Sequence, residues 1–242
     1  MFPKQNKKIT LIAEIGHNHN GDMTLAKWLI KLAKLCGANI AKFQVYDTDI
    51  LGIAVPEKQE VYDDLKKSEL TKEQVKELKD ECDKVGIEFM ASAFDIERVG
   101  WLEEIGVKRH KIASRSIYNE ELIQAMVNTG KPIIASLGKI DERGIPQIKA
   151  DFLYCVAKYP PSPKDMKGFP KNFKEYAGFS DHTLGINWTI KAIKRGAKII
   201  EKHFTIDKTM LGRDQAGSCE PYELKKISEF IKLWTEVKNF KI

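Results

Sequence analysis

No run of apolar residues in this 242-residue chain reaches the ~18–20 that a membrane-spanning helix needs. No signal-peptide cleavage pattern follows the Lys-rich start, Met1 to Ile9, which leads straight into the strand-like TLIAEIG. The start therefore reads as a solvated tail, and a cytoplasmic location is expected. Cysteine is sparse. Cys36, Cys82, Cys155 and Cys219 are irregularly spaced and form no C-x-x-C, which argues against a zinc knot or disulfide framework and for reduced, buried thiols. No Pro/Gly/Ser-rich linker or low-complexity block divides the chain, so one domain over residues 1–242 is expected. Aromatic residues do not interleave with a basic stripe, so nucleic acid is not an expected partner.

What is present is enough apolar material, 43% of residues, for a substantial core. Short β-branched runs alternate with longer amphipathic stretches. The strand candidates are Thr10–Ile15, Ile40–Val45, Glu88–Phe94, Arg109–Ala113, Pro132–Leu137, Phe152–Val156, Ala177–Ser180 and Lys198–His203. Helical patterns cover Met23–Leu35, Lys72–Val85, Asn119–Asn128, Asn187–Arg195 and Pro221–Lys238. Gly37, Gly86, Gly106, Gly130 and Gly196 fall where left-handed helix caps belong. Repeated helix, Gly and strand predict parallel βα units, and eight of them predict a (β/α)8 TIM barrel, with an open doubly wound sheet as the rival. The segment after Leu137 is too short for a full helix, so the fifth barrel helix is expected to be shortened to a turn or missing. The Pro-rich stretch Lys158–Tyr176 predicts a loop with a short helical piece.

Net charge is +6, and Lys72, Lys76, Lys79 and Lys84 are interleaved with Glu and Asp as on a solvated helix face. A mild positive balance suits anionic small substrates without demonstrating them. The strand ends carry the more telling pattern. Glu14, Lys42 and Gln44, Ser92, Lys111 and Ser114, Ser136, Ser180 with Asp181 and His182, and Glu201 with Lys202 and His203 all sit at or near C-terminal strand ends. In a barrel those ends carry the reactive groups. Burying Lys42 and Lys111 costs several kcal/mol unless a partner compensates. An anionic ligand is one such partner; a nearby carboxylate such as Glu14 is the other. His182 and His203 end adjacent strands, so they either converge on a metal, with Glu14 or Asp214, or make separate hydrogen bonds. The GHNHNG loop, with His17 and His19, reads as weak evidence: it also suits a polar turn capping the first helix.

AEIGHNHNGD (Ala13–Asp22), AKFQVY (Ala41–Tyr46), KIAS (Lys111–Ser114), KPIIAS (Lys131–Ser136), FSDHTLG (Phe179–Gly185) and EKHFTIDKTMLGRDQAGSCEP (Glu201–Pro221) run in order along nearly the whole chain. Together they resemble the sialic acid synthase family, which includes N-acetylneuraminate synthases and spore-coat polysaccharide synthases. FSDHT followed by EKHFT is the most specific part. The resemblance implies a TIM barrel that joins phosphoenolpyruvate to a sugar aldehyde of N-acyl-hexosamine type, giving a nonulosonic acid and phosphate in carbohydrate biosynthesis. It implies a divalent metal, manganese first with magnesium or cobalt as alternatives, held by His182 and His203. It implies phosphoenolpyruvate on Lys42, Ser92, Lys111, Ser136 and Ser180, with Ser114 in the same lining. Glu14, Gln44 and Asp214 correspond to sugar- or metal-side contacts, Glu14 being the candidate for proton handling. Of the two loop histidines, His19 is expected to touch substrate rather than His17.

Departures from the family pattern fall on the sugar side. Ser116, preceded by Arg115, stands where a Glu is usual. Ala157 and Lys158 stand where Asn or Ser is usual, and LGRD (Leu211–Asp214) replaces PGPD. Arg115, Lys158 or Arg213 are candidates for a different anion contact. The C-terminal antifreeze-like domain of typical members, which supplies an Arg to the partner subunit, is not in this sequence. A homodimer, or a separate protein supplying that domain, is the expected partner. A non-catalytic binding relative and another metal-dependent barrel aldolase are the competing expectations.

Overall fold

A computed structural model describes residues 9–51 and 59–239. The Lys-rich start lies outside the described residues, apart from Ile9. Eight strands close a parallel barrel in chain order: β1 (Thr10–Gly16), β2 (Ile40–Val45), β3 (Glu88–Ala93), β4 (His110–Ile112), β5 (Ile133–Ser136), β6 (Asp151–Cys155), β7 (Gly178–Asp181) and β8 (Ile199–His203). The pairing of β1 with β8 closes the ring, Glu14 standing opposite His203. The open sheet is thereby excluded.

Among the described residues seven helices pack outside: α1 (Met23–Leu35), α2 (Gln59–Ser68), α3 (Lys72–Val85), α4 (Ile96–Glu104), α5 (Glu120–Asn128), α6 (Asn187–Lys194) and α7 (Pro221–Asn239). Their starts follow from local chemistry. The Asp22 carboxylate accepts from the Thr24 and Leu25 amides, and Thr71 and Gln74 form a capping box at the head of α3. The five glycines expected at helix ends all have positive φ. On α3, Lys76 pairs with Asp80 and Lys79 with Asp83, so the charged face there is solvated and internally paired.

The periodicity picked out neither α2 nor α4. α4 starts at a clear signal, the Asp95 side chain accepting from Arg98 N. Between β5 and β6 there is no helix, only turns, as the short segment requires. Between β6 and β7 stands a single short turn of helix, Asp165–Gly168, in the Pro-rich stretch. Among the described residues no helix is long and apolar enough to cross a membrane.

Strand side chains alternate between two cores. The outward set, including Leu11, Phe43, Phe89, Phe179 and Ile200, packs under the helices. The inward set starts with a plug of Ile12, Ile40, Met90, Ile134, Leu153 and Ile199, which fills the barrel interior. β7 contributes Gly178 at this level, because a Cβ there would lie 1.9 Å from the Ile199 carbonyl oxygen. The plug closes the floor on which the polar residues stand.

Candidate active site

Two residues further along each strand the same inward face becomes polar. Ile12 gives way to Glu14, Ile40 to Lys42, Met90 to Ser92, Ile134 to Ser136, Leu153 to Cys155, Gly178 to Ser180 and Ile199 to Glu201, while β4 adds Lys111. Two residues on again come Gln44, Phe94, Ala113, Ala157, His182 and His203. Apart from Cys155, both levels line one cavity of about 860 Å³ at the C-terminal mouth of the barrel. The outward neighbours go elsewhere. Asp181 and Lys202 pair with each other at 3.2 Å, and Asp181 also accepts from Thr189 and Thr183 behind the sheet. Those two strand-end charges hold β7 and β8 to α6 and do not face the cavity.

The lower polar level is a compact ionic network. Lys42 Nζ lies 2.7 Å from Glu14 Oε2 and 3.7 Å from Glu201 Oε2, and donates to Ser92 Oγ at 3.2 Å. Lys111 Nζ lies 3.8 Å from Glu201 Oε1 and donates to Ser136 Oγ at 2.8 Å and to the Ile112 carbonyl at 3.0 Å. Ser180 Oγ donates to Glu201 Oε1 at 3.0 Å, and Gln44 Nε2 to Glu14 Oε1 at 2.9 Å. Both lysines and Glu14 are at most 2% exposed. Two ammonium groups and two carboxylates balance here, so the carboxylate partners foreseen as the alternative to a ligand are present.

The balance is uneven between the acids. Burial raises the Glu14 carboxyl, aided by the Glu201 charge, and Lys42 only partly opposes it. Burial also works against charge on Glu201, but Lys111 and Lys42 together outweigh it and hold that carboxyl below the usual range. Glu14 is thus the group that takes up a proton readily, and Glu201 the fixed anion. Lys111 is pushed down by burial, which Glu201 offsets in part.

At the upper level the rings of His182 and His203 are 5.5 Å apart, and Tyr159 lies against His182 with centroids at 4.1 Å. His182 Nδ1 is 2.9 Å from the Val156 carbonyl. A carbonyl only accepts, so Nδ1 carries the proton and the Nε2 lone pair is left available. His203 Nδ1 is buried without a hydrogen-bond partner and lies 3.5 Å from Asp214 Oδ2. Burial holds His203 below its usual pKa, keeping the imidazole in the form that binds metals. Among the described residues no group of three or more His, Cys, Asp or Glu side chains is arranged to hold a metal ion. The donor set fits an ion that takes two imidazoles and completes its shell with oxygen from water or substrate.

Eleven of the twelve expected site residues line this cavity: Glu14, Lys42, Gln44, Ser92, Lys111, Ser114, Ser136, Ser180, His182, His203 and Asp214. His19 does not, and the choice between the loop histidines is corrected. His19 turns outward, its ring 6.0 Å from Phe43 of the outer core and its Nδ1 accepting from Gly21 N at 3.1 Å. Burial depresses it to about 4. His17 lines the cavity instead, next to Tyr46 Oη at 3.1 Å. Lys158 is likewise removed from the anion candidates, since it pairs with Asp165 on the outside. The sequence places Glu201 at a strand end without a role and Cys155 only among buried thiols, although alternation from Ile199 and Leu153 is signal enough for both. Tyr159 gave no signal, because a loop sets its direction. Ser114 Oγ, accepting from Gly138 N at 3.1 Å, lies 3.6 Å from Cys155 Sγ.

Residues 29–240 match the family model described as the NeuB family. An N,N'-diacetyllegionaminic acid synthase of Legionella pneumophila is 36% identical, over 92% of this chain and 71% of the relative. The human N-acetylneuraminate-9-phosphate synthase is 32% identical, over 92% of this chain and 69% of the relative. The crystal structure of an N-acetylneuraminic acid synthetase from Leptospira borgpetersenii in complex with citrate is similar with TM-score 0.87 and 32% identity, covering 98% of this chain and 87% of that one.

Proposed function

Because the chain belongs to the NeuB family, we propose that it is an enzyme joining phosphoenolpyruvate to the aldehyde of an open-chain N-acyl-hexosamine, with a nonulosonic acid and inorganic phosphate as products. The observation that carries this reading is the gathering of two buried lysines, Lys42 and Lys111, with three serine hydroxyls on the wall of one open cavity. A small phosphorylated acid brings two anionic groups to that spot. Ser92, Ser136 and Ser180 stand around it as hydroxyl donors, and Ser114 lies beside it.

The chemistry needs charge held still in a site shielded from water. C3 of phosphoenolpyruvate attacks the aldehyde carbon, and a C–C bond forms as the enol double bond gives up its electrons. C2 becomes electrophilic and takes up water. The C2–O bond to phosphorus-bound oxygen then breaks, phosphate leaves with the electron pair, and a C2 ketone remains. Lys42 and Lys111 offset the phosphate and carboxylate charge throughout.

One proton must reach the former aldehyde oxygen and the added water must lose its protons. Glu14 is suited to one transfer of each kind: burial raises its pKa, so beside Lys42 it gives up and retakes a proton readily, and the second proton of the water leaves with the phosphate. Gln44 and Asp214 face the sugar half, with His17 in place of His19. His182 and His203 would hold a divalent ion, manganese or else cobalt or magnesium, which supplies Lewis-acid polarisation of the aldehyde.

The test is phosphate release from phosphoenolpyruvate with manganese and a panel of N-acyl-hexosamines. Release that requires an acceptor supports the reading. Release without any acceptor, or none with the whole panel, would remove it.

A further inference from the structure

Behind the two histidines lies a buried charge pair that the condensation does not use. Asp181 precedes His182 and Lys202 precedes His203, and the two stand opposite one another in the β7–β8 register. Alternation turns both away from the cavity. Their side chains are 0% and 1% exposed, and Lys202 Nζ lies 3.2 Å from Asp181 Oδ2.

Nothing in the packing there calls for charge. Ala13 of β1 is the register partner of Lys202, and Ala41 of β2 is the next one along; both belong to the apolar layer under the helices. Taking two charges out of water is costly, and an apolar pair of similar volume often gives equal or greater stability. Stability alone therefore does not account for an ion pair at this place.

The pair supplies direction, which an apolar pair cannot. Asp181 Oδ1 accepts from Thr183 N at 2.8 Å and from Thr183 Oγ1 at 2.7 Å, which closes the backbone turn around His182. Asp181 Oδ2 accepts from Thr189 Oγ1 of α6 at 2.6 Å. Lys202 Nζ faces Asp181 and also donates to the Thr183 carbonyl at 2.6 Å. One ammonium group, carried by the residue next to His203, thus grips the residues on both sides of His182.

The effect is felt in front of the sheet. With its backbone held, His182 sets Nδ1 2.9 Å from the Val156 carbonyl, and its ring centroid lies 5.5 Å from that of His203. Two imidazoles serve one ion well only when their spacing and their ring directions are both held.

We propose that Asp181 and Lys202 are positioning residues, and that their ion pair behind the sheet sets the spacing and the ring direction of His182 and His203 in front of it. This rests on the reading of both imidazoles as metal donors. The pair itself touches neither metal nor substrate.

The test exchanges the pair as a unit. Asp181→Leu with Lys202→Met keeps the packing and removes both charges, so no lone charge is left buried. Thermal melting without metal should show a folded protein. Nitrogen-15 spectra of the histidine rings in mildly alkaline buffer should show His182 with its proton on Nδ1 in the parent and a mixture of tautomers in the double variant. Manganese affinity should fall about tenfold or more, the range for groups that orient a metal ligand. Phosphoenolpyruvate binding, which falls on Lys42 and Lys111, should stay as it was. Thr189→Val removes one bond to Asp181 and leaves both charges. It should give the same changes to a smaller extent, and it decides the matter if the double variant does not fold.

Mixed tautomers in a folded variant uphold the positioning role even if the parent takes up no manganese; that result would remove the metal reading alone. A folded variant that keeps the parent's tautomer and manganese affinity overturns the proposal, because the pair then serves packing only. An equal loss of phosphoenolpyruvate affinity also overturns it, since the whole barrel interior would then have loosened.

Discussion

His182, one residue past β7, and His203, the last residue of β8, have their ring centroids 5.5 Å apart and their planes at 51°. The Val156 carbonyl fixes the proton of His182 on Nδ1, and His203 Nδ1 has no hydrogen-bond partner. His203→Ala removes one of the two imidazoles assigned to the ion. Loss of a group that merely orients a ligand costs ~10–100-fold in metal affinity, so loss of the donor should cost about a hundredfold or more. Titration of manganese into the protein checks this, with a thermal melt to show the fold intact. An unchanged affinity would remove the metal assignment.

Lys111→Met keeps the length of the side chain and deletes its charge. Lys111 faces Glu201 and Ser136 deep in the cavity, away from the rim where the acceptor enters. The KM for phosphoenolpyruvate should rise about tenfold or more, the range of one charge-assisted contact, and the acceptor KM should change less. Steady-state kinetics with each substrate varied in turn decides it. An equal rise in both would mean a general loosening of the barrel interior.

Glu14→Gln separates binding from chemistry. The Glu14 carboxylate lies 2.7 Å from Lys42 and competes with an incoming anion for it. The amide keeps the hydrogen-bonding shape but neither competes as a charge nor carries a proton to the aldehyde oxygen. We expect kcat to fall by roughly 10²-fold or more while phosphoenolpyruvate binds as tightly as before or tighter. Weaker binding together with an unchanged kcat would show that Glu14 serves structure instead of proton transfer.

The barrel and its polar mouth were legible because alternation is a hard constraint: once Ile12, Ile40 and Met90 are the plug, Glu14, Lys42 and Ser92 must face the same way. Glu201 obeyed the same rule from Ile199 and could have been assigned. The direction of loop side chains had no such rule behind it. His17 and His19 are two residues apart in a turn where Asn20 has φ 49°, so period-two reasoning does not carry through, and it is His17 that lines the cavity. Arg213 and Tyr159 are likewise aimed by their loops. α2 and α4 escaped notice because each is short and polar, with few buried positions to mark a face.

His19 gives a test of the loop that needs no substrate. It is completely buried, and burial depresses its pKa from 6.5 to about 4, so the folded protein holds it neutral where the unfolded chain would protonate it. Stability tied to this group is fully present above pH 6.5 and is lost as pH falls from there toward 4. Over that window a single such group is worth about 2–3 kcal/mol. Gln at this position offers Gly21 N an acceptor without a titrating ring. Urea denaturation at about pH 7 and about pH 4.5 should show His19→Gln losing about 2–3 kcal/mol less than the parent protein on acidification. The other buried histidines and carboxylates titrate in both proteins and cancel in that difference. Identical losses in the two proteins would mean that His19 is hydrated in solution, and the packing of this loop against Phe43 would have to be redrawn.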